Sequence, residues 1–278
     1  MTTKANARGK RLGMTTRQAL VLFSGGIGSF AAGMRTAFKY GAENTRLLFT
    51  DTKTEDEDLY RFINQAAEAV GSELIVLTEG RDVWELFFDQ KFIGNTRVDI
   101  CSRILKRDLA RDWINENCDP ADTAIVLGID WTEIHRYERA IPHWKPYTLN
   151  APMVESPLMS KDEMIQWARD LGIEPPRLYA MGFPHNNCGG FCVKQGHKAF
   201  ENLLRTMPDR YAYHEAKEQE FRDTFDKDVA ILRDRRDGST TPYTLKQLRE
   251  RLDTGQLTLS EDQDWGGCGC MVDWEDTE

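Results

Sequence analysis

An α/β fold built on a doubly wound parallel sheet is what this sequence predicts, and three observations predict it. Short apolar runs of strand length alternate with stretches of helical spacing. A glycine-rich turn follows the first run, and single glycines close the next two helical stretches. Near Asp130 the alternation stops, and helical stretches with clustered cysteines take over, so an α-rich, cysteine-containing C-terminal extension is expected. Alternation of this kind is the mark of βαβ units with right-handed crossovers.

The elements follow in order. Gln18-Ala-Leu-Val-Leu-Phe23 is apolar throughout, as a strand covered on both faces requires. Ser24 to Ser29 turns the chain, and Ser29 to Tyr40 has helical spacing with Gly41 as its C-cap. Thr45 to Thr50 makes a second strand, Asp56 to Val70 a helix closed by Gly71, and Glu73 to Leu77 a third strand. Helices are expected over Val83 to Gln90 and Arg103 to Asn117, and Ala124 to Gly128 is a fourth buried strand. Pro142, Pro146, Pro152 and Pro157 then break the pattern, and helices return over Lys161 to Leu171, Gln195 to Arg205 and Pro208 to Arg233. The last of these alternates acids and bases, which reads as a solvated face. The expected divisions are a basic N-terminal segment (1–17), the sheet domain (18–140) and the extension packed on it (141–278).

Composition excludes several classes. The chain has 278 residues, a net charge of −9 and 40% hydrophobic residues, the profile of a globular protein. No apolar stretch approaches the ~20 residues of a membrane span. Residues 1–17 carry Lys4, Arg8, Lys10, Arg11 and Arg17 but no apolar signal core, so a cytoplasmic, reducing location is expected. The acidic balance argues against coating nucleic acid by bulk charge. Six cysteines in such a chain point to metal, redox or packing roles rather than a disulfide scaffold.

The strand–turn–helix at Ser24-Gly25-Gly26-Ile27-Gly28-Ser29 has the chemistry of an anion site. Glycines let the backbone approach an oxyanion, the helix start offers unpaired N–H groups, and two hydroxyls add donors. A tight turn with no ligand is the alternative. The loop lacks the Gly-Lys-Ser/Thr ending of a Walker loop.

At these residues the chain resembles the PP-loop superfamily of ATP pyrophosphatases and sulfonucleotide reductases, whose signature is SGGxxS after the first strand. Phe49-Thr-Asp51-Thr52, followed by Glu55, Asp56 and Glu57, is similar to a further stretch of the phosphoadenosine phosphosulfate (PAPS) reductase-like group. So are Cys101-Ser-Arg103-Ile-Leu-Lys106 and Leu127-Gly128-Ile-Asp130 with Glu133 and Arg136. The later Asn186-Asn-Cys188-Gly-Gly-Phe-Cys192 resembles phage and bacterial members. The resemblance implies a Rossmann-like domain holding ATP or a related adenine nucleotide. Ser24, Gly25, Gly26, Ile27, Gly28 and Ser29 would cradle phosphate, Asp51 and Thr52 would sit near the nucleoside, and Gly128, Arg103 and Lys106 would complete the site. Asp51 could instead cap a helix. Many pyrophosphatase loops read SGGxDS; here Gly28 stands where that acid would help hold Mg²⁺, which leaves Asp51, Asp130 or the phosphates to carry the metal.

Cys188 and Cys192 lie in one glycine-rich segment and Cys268 and Cys270 in another, Trp265-Gly-Gly-Cys268-Gly-Cys270. Such loops let thiolates converge on a 4Fe-4S cluster or on zinc. With Cys101 there are five candidate metal ligands, although buried cysteines without metal remain the alternative. Cys118 reads as an ordinary residue. His185 and His197 flank the first pair and are either acid–base groups or packing residues. Arg103, Lys106, Arg107 and Arg111 form a basic stripe that grips phosphate, meets a nucleic-acid backbone, or only balances the acidic surface.

Cys101 and Asp130 are the candidate catalytic residues. Two enzyme functions follow from the resemblance, and Gly28 in place of the loop acid keeps a third reading from another class. In the first, ATP adenylates a nucleic-acid or small-molecule acceptor and sulfur displaces AMP. In the second, a cysteine attacks the sulfur of PAPS or adenylyl sulfate and a reductant releases sulfite; the reductases' catalytic Glu-Cys-Gly-(Leu/Ile)-His tail is absent, which disfavours it. In the third, the chain is a nucleotide-binding regulatory module stapled by zinc. A sulfur or electron donor is implied by the enzyme readings, a homodimer is allowed, and no membrane partner is expected.

Overall fold

The computed structural model describes residues 17–95, 97–234 and 238–254. Its centre is a five-stranded, all-parallel sheet of order β3-β2-β1-β4-β5, made of Gln18–Leu22 (β1), Thr45–Asp51 (β2), Glu73–Thr78 (β3), Thr123–Leu127 (β4) and Thr148–Asn150 (β5). β1 lies between β2 and β4, with Leu22 beside both Leu48 and Leu127. The chain winds outward from β1 in one direction through β2 and β3, and then starts again on the other side with β4. That reversal opens a crevice beyond the carboxyl ends of β1 and β4, the place where open α/β sheets take their ligands.

The apolar runs of β1, β2 and β4 are continuous because both sheet faces are covered there, whereas the edge strand β3 is only part-buried and leaves Val76 exposed. Ala19, Val21 and Phe23 point into one core with α1 (Ile27–Tyr40), α2 (Glu57–Val70) and Met164 and Ala168 of α7 (Lys161–Asp170). Leu20 and Leu22 point the opposite way, against Ala110 and Ile114 of α5 (Leu109–Asn117) and Trp144. A third core belongs to the extension. It joins α3 (Val83–Gln90) and Leu105 to α9 (His197–Thr206), α10 (Pro208–Phe225) and α11 (Leu245–Asp253).

Helix ends follow local chemistry. Asp56 caps α2 by accepting from the Asp58 N–H at 3.0 Å, and Gly71 ends it in the left-handed conformation. Asp82–Glu85 and Ser160–Glu163 form capping boxes at α3 and α7. Between Ile100–Ser102 (α4) and α5 the helix widens into a π-helical segment, Arg103–Asp108.

Several expectations are corrected. The sheet has a fifth strand, β5, which pairs with β4; its three residues stand among prolines and are too short to show a pattern. The helix expected to run to Arg233 ends at Phe225, because Asp226 turns left-handed at φ 48° and the chain then forms a two-stranded antiparallel ribbon of Leu232–Asp234 (β6) and Thr241–Tyr243 (β7). Ile134–Ala140 (α6), Arg177–Ala180 (α8) and α11 were not expected. No helix among the described residues is long and apolar enough to cross a membrane.

Candidate functional site

The crevice between β1 and β4 holds a cleft of about 140 Å³, lined by Ser24, Gly26, Ile27, Gly28 and Ser29 on one side and by Gly128, Asp130, Glu133 and His185 among others on the opposite side. The N-terminus of α1 opens into it. Its N-cap is Gly26, with no side-chain cap of its own and no acid in the first turn, so the positive end of the helix, beyond the one amide that Tyr179 takes, is left for an outside anion. Ser29 Oγ donates to the Gly26 carbonyl at 2.8 Å, and Ser24 Oγ lies 3.4 Å from Ser29 Oγ. The Ile27 N–H donates to the Tyr179 hydroxyl at 3.0 Å, so a side chain from α8 closes over the loop.

Two glycines make this approach possible. A β-carbon on Gly28 would stand 2.7 Å from the Gly128 carbonyl oxygen, and one on Gly128 would stand 2.6 Å from Ser29 Cα. The turn after β1 and the end of β4 are therefore pressed backbone to backbone. Gly25 adopts φ +75°, and its carbonyl accepts from Asn186 Nδ2 at 3.3 Å.

A second, smaller cavity lies nearby. Cys101, Cys188 and Cys192 line it together with Thr52, Asp99, Lys106 and Lys194, and its volume is about 10 Å³, room for one water-sized particle. The π-helical segment explains how consecutive Lys106 and Arg107 both turn inward. Lys106 Nζ reaches Glu55 Oε1 at 3.2 Å, and Arg107 lies 3.4 Å from Asp99 Oδ2. π-helical turns of this kind recur at functional sites. Glu55, only 6% exposed, also accepts from Thr52 Oγ1 at 3.1 Å and from the Cys188 N–H at 2.7 Å. Cys188 has a left-handed backbone at φ 46°, and this bond, with the Arg210 guanidinium packed over Gly189 and donating to the Thr54 and Glu55 carbonyls, holds the strained turn in place.

The expected residues thus divide between two cavities. Ser24, Gly26, Ile27, Gly28, Ser29, Gly128 and Asp130 line the loop cleft; Thr52, Cys101, Lys106, Cys188 and Cys192 line the thiol cavity. Asp51 lines neither and accepts from the Tyr60 hydroxyl at 2.9 Å and the Lys53 N–H at 2.8 Å. It caps no helix either, since Asp56 does that for α2. The basic stripe does not form: Lys106 and Arg107 are buried against carboxylates, Arg103 is exposed, and Arg111 lies 4.2 Å over the Trp144 ring. Asp130 accepts from the Thr132 N–H at 2.9 Å. Burial, reinforced by Lys161, pushes the His185 imidazole down to about 4, so it lines the cleft as a neutral group. His197 is remote, bonded to the Arg233 carbonyl at 3.0 Å and stacked on Tyr243.

Three thiols are the right donors for an iron–sulfur cluster or zinc. Among the described residues, however, no group of three or more His, Cys, Asp or Glu side chains could hold a metal ion. The thiol cavity as it stands is too small for a four-iron cluster, so the described residues do not fit that group by themselves. Cys268 and Cys270 lie outside the described residues. Tyr179 is a contributor that the sequence did not single out, and Glu55 and Asn186 stood in quoted motifs without a role.

A glycine loop at the switch point of a parallel sheet is the arrangement of an α/β protein that takes its ligand beyond the carboxyl ends of its strands. The phosphoadenosine phosphosulfate reductase domain family matches residues 18–191, well over half of the chain, and the chain belongs to that family. Among solved structures it is similar to phosphoadenylyl-sulfate (PAPS) reductase from Candida auris, in a phosphate complex, with 14% identity and a TM-score of 0.42 over 59% of this chain and 78% of that one. It is also similar to the NH3-dependent NAD synthetase of Campylobacter jejuni, in complex with nitrate, with 16% identity and a TM-score of 0.39 over 78% and 90%. No curated protein matches.

Proposed function

We propose that this protein is an enzyme of sulfur metabolism that binds an adenine nucleotide with its phosphates at the Ser24–Ser29 loop and uses the nearby thiols for sulfur chemistry. One observation carries the reading: Asn186 and Asn187 line the loop cleft while the next residue, Cys188, lines the thiol cavity. An activated nucleotide and a thiol would therefore meet across three consecutive residues. ATP is the favoured nucleotide. An acceptor oxygen would attack its α-phosphorus, pyrophosphate would leave, and sulfur would then displace AMP from the acceptor. Asp130, which lines the cleft, would hold Mg²⁺ there. Cys101 and Cys188 are the candidate sulfur-handling groups, and Cys268 and Cys270 would supply the further ligands if these thiols hold a 4Fe-4S cluster or zinc. The acceptor would be a small molecule or a nucleic acid, with a separate sulfur or electron donor.

The experiment is product analysis on protein purified without oxygen, given Mg-ATP, PAPS or adenylyl sulfate in turn with a dithiol reductant and sulfide, alongside iron, sulfide and zinc determination. Pyrophosphate released from ATP with iron present supports this reading. Sulfite released from a sulfonucleotide would favour the reductase reading, despite the missing tail. Stoichiometric zinc with no turnover would leave a regulatory module.

A further inference from the structure

Asn186 lines the loop cleft and carries a buried polar atom that has no hydrogen-bond partner among the described residues. Its side chain belongs to a residue only 3% exposed, and Nδ2 donates to the Gly25 carbonyl at 3.3 Å. That carbonyl can only accept, so the amide nitrogen must face it and Oδ1 is the other arm of the planar amide. Oδ1 is buried and accepts nothing. A buried acceptor left unpaired is costly, and a native chain that keeps one at a ligand cleft has a donor to meet it there. The cleft therefore mixes donors with one unmet acceptor. The start of α1 offers donors to phosphate oxygens, and the lining also carries Asp130, Lys161 and Glu133 paired with Arg136, while Asn186 Oδ1 is a buried acceptor without a partner among the described residues.

We propose that Asn186 reads the ligand: its Oδ1 accepts a hydrogen bond from a hydroxyl or amino donor of the bound adenine nucleotide and disfavours molecules that present only acceptors at that point. The inference rests on the nucleotide reading above. The donor belongs either to the ribose, as a 2′- or 3′-hydroxyl, or to the 6-amino group of adenine. A bare sulfate offers no donor, so Asn186 adds nucleoside recognition to an anion site that the loop alone would provide.

The test compares binding of Mg-ATP, 2′-deoxy-ATP, 3′-deoxy-ATP and inosine triphosphate to the wild-type protein and to Asn186→Ala. One analogue is expected to bind the wild type about tenfold more weakly than Mg-ATP and to match Mg-ATP on the variant, because the partner of the missing group has gone. The analogue that loses affinity identifies the donor. Equal binding of all four by the wild type would overturn the proposal without any variant being needed, and so would discrimination that persists unchanged in Asn186→Ala. If Mg-ATP itself does not bind the wild type, both the nucleotide reading and this inference fall; if it binds without discrimination, only the inference falls.

Discussion

A side chain at position 28 has nowhere to go, since its β-carbon would meet the Gly128 carbonyl oxygen at 2.7 Å, and that carbonyl belongs to the backbone. The missing loop acid is thus a packing requirement of this chain as well as a change of charge. Gly28→Asp is expected to lose about 1–3 kcal/mol of stability in urea denaturation, and to weaken nucleotide binding rather than supply a metal ligand. Glu55 joins Thr52, Lys106 and Cys188 through one buried carboxylate. Glu55→Ala is expected to cost about 3 kcal/mol by breaking the buried ion pair. It should also raise the rate at which iodoacetamide modifies Cys188, measured by mass spectrometry. The glycine loop was legible because its chemistry is local to six residues. Tyr179 was not, because it reaches the loop from 152 positions away and no short pattern marks it, and although Asn186 opens the cysteine motif, nothing local shows that it meets the loop 161 positions earlier.

At the scale of elements, the segment from 100 to 117 shows what periodicity misses. Helical spacing placed Arg103, Lys106, Arg107 and Arg111 on one face, but the π-helical turn shifts the phase within that face. Lys106 and Arg107 then both enter the interior, where Glu55 and Asp99 receive them. Deleting Ile104 removes the extra residue and is expected to return one of the two to solvent. The midpoint of thermal unfolding, followed by near-ultraviolet circular dichroism, should fall by roughly 5–10 °C. The four long-patterned strands were legible from continuous apolar runs between glycine and acidic turns. β5 was not, because three residues carry no period, and the end of α10 was not, because the charged sequence around Asp226 continues a helical pattern that its left-handed backbone breaks. Arg222 then bonds the Val229 carbonyl and Asp228, turning the chain toward the ribbon.

Across the whole molecule, buried titratable groups set the response to pH. Glu218 accepts from Ile231 N at 2.9 Å and Leu245 N at 2.7 Å, and burial pushes its carboxyl up to about 7. The native chain keeps that proton where the unfolded chain, titrating near 4.5, has released it, so this contribution to stability is lost as pH rises from about 4.5 to 7. His185 acts in the opposite sense. The unfolded chain takes up its proton below about 6.5 and the native chain only near 4, so stability falls as pH drops through that interval, and buried His214 adds to the fall. The two trends offset each other in the wild type. Glu218→Gln should leave the histidine slope exposed, with urea midpoints rising more steeply from pH 4.5 to 6.5 than in the wild type. The central claim, that an adenine nucleotide occupies the crevice where β1 and β4 diverge, is tested most directly by calorimetric titration of Mg-ATP into the wild type and Gly28→Asp. The account predicts one saturable site in the wild type, weakened about tenfold or more in a variant that remains folded. Equal affinity in the two proteins would place the nucleotide elsewhere and contradict it.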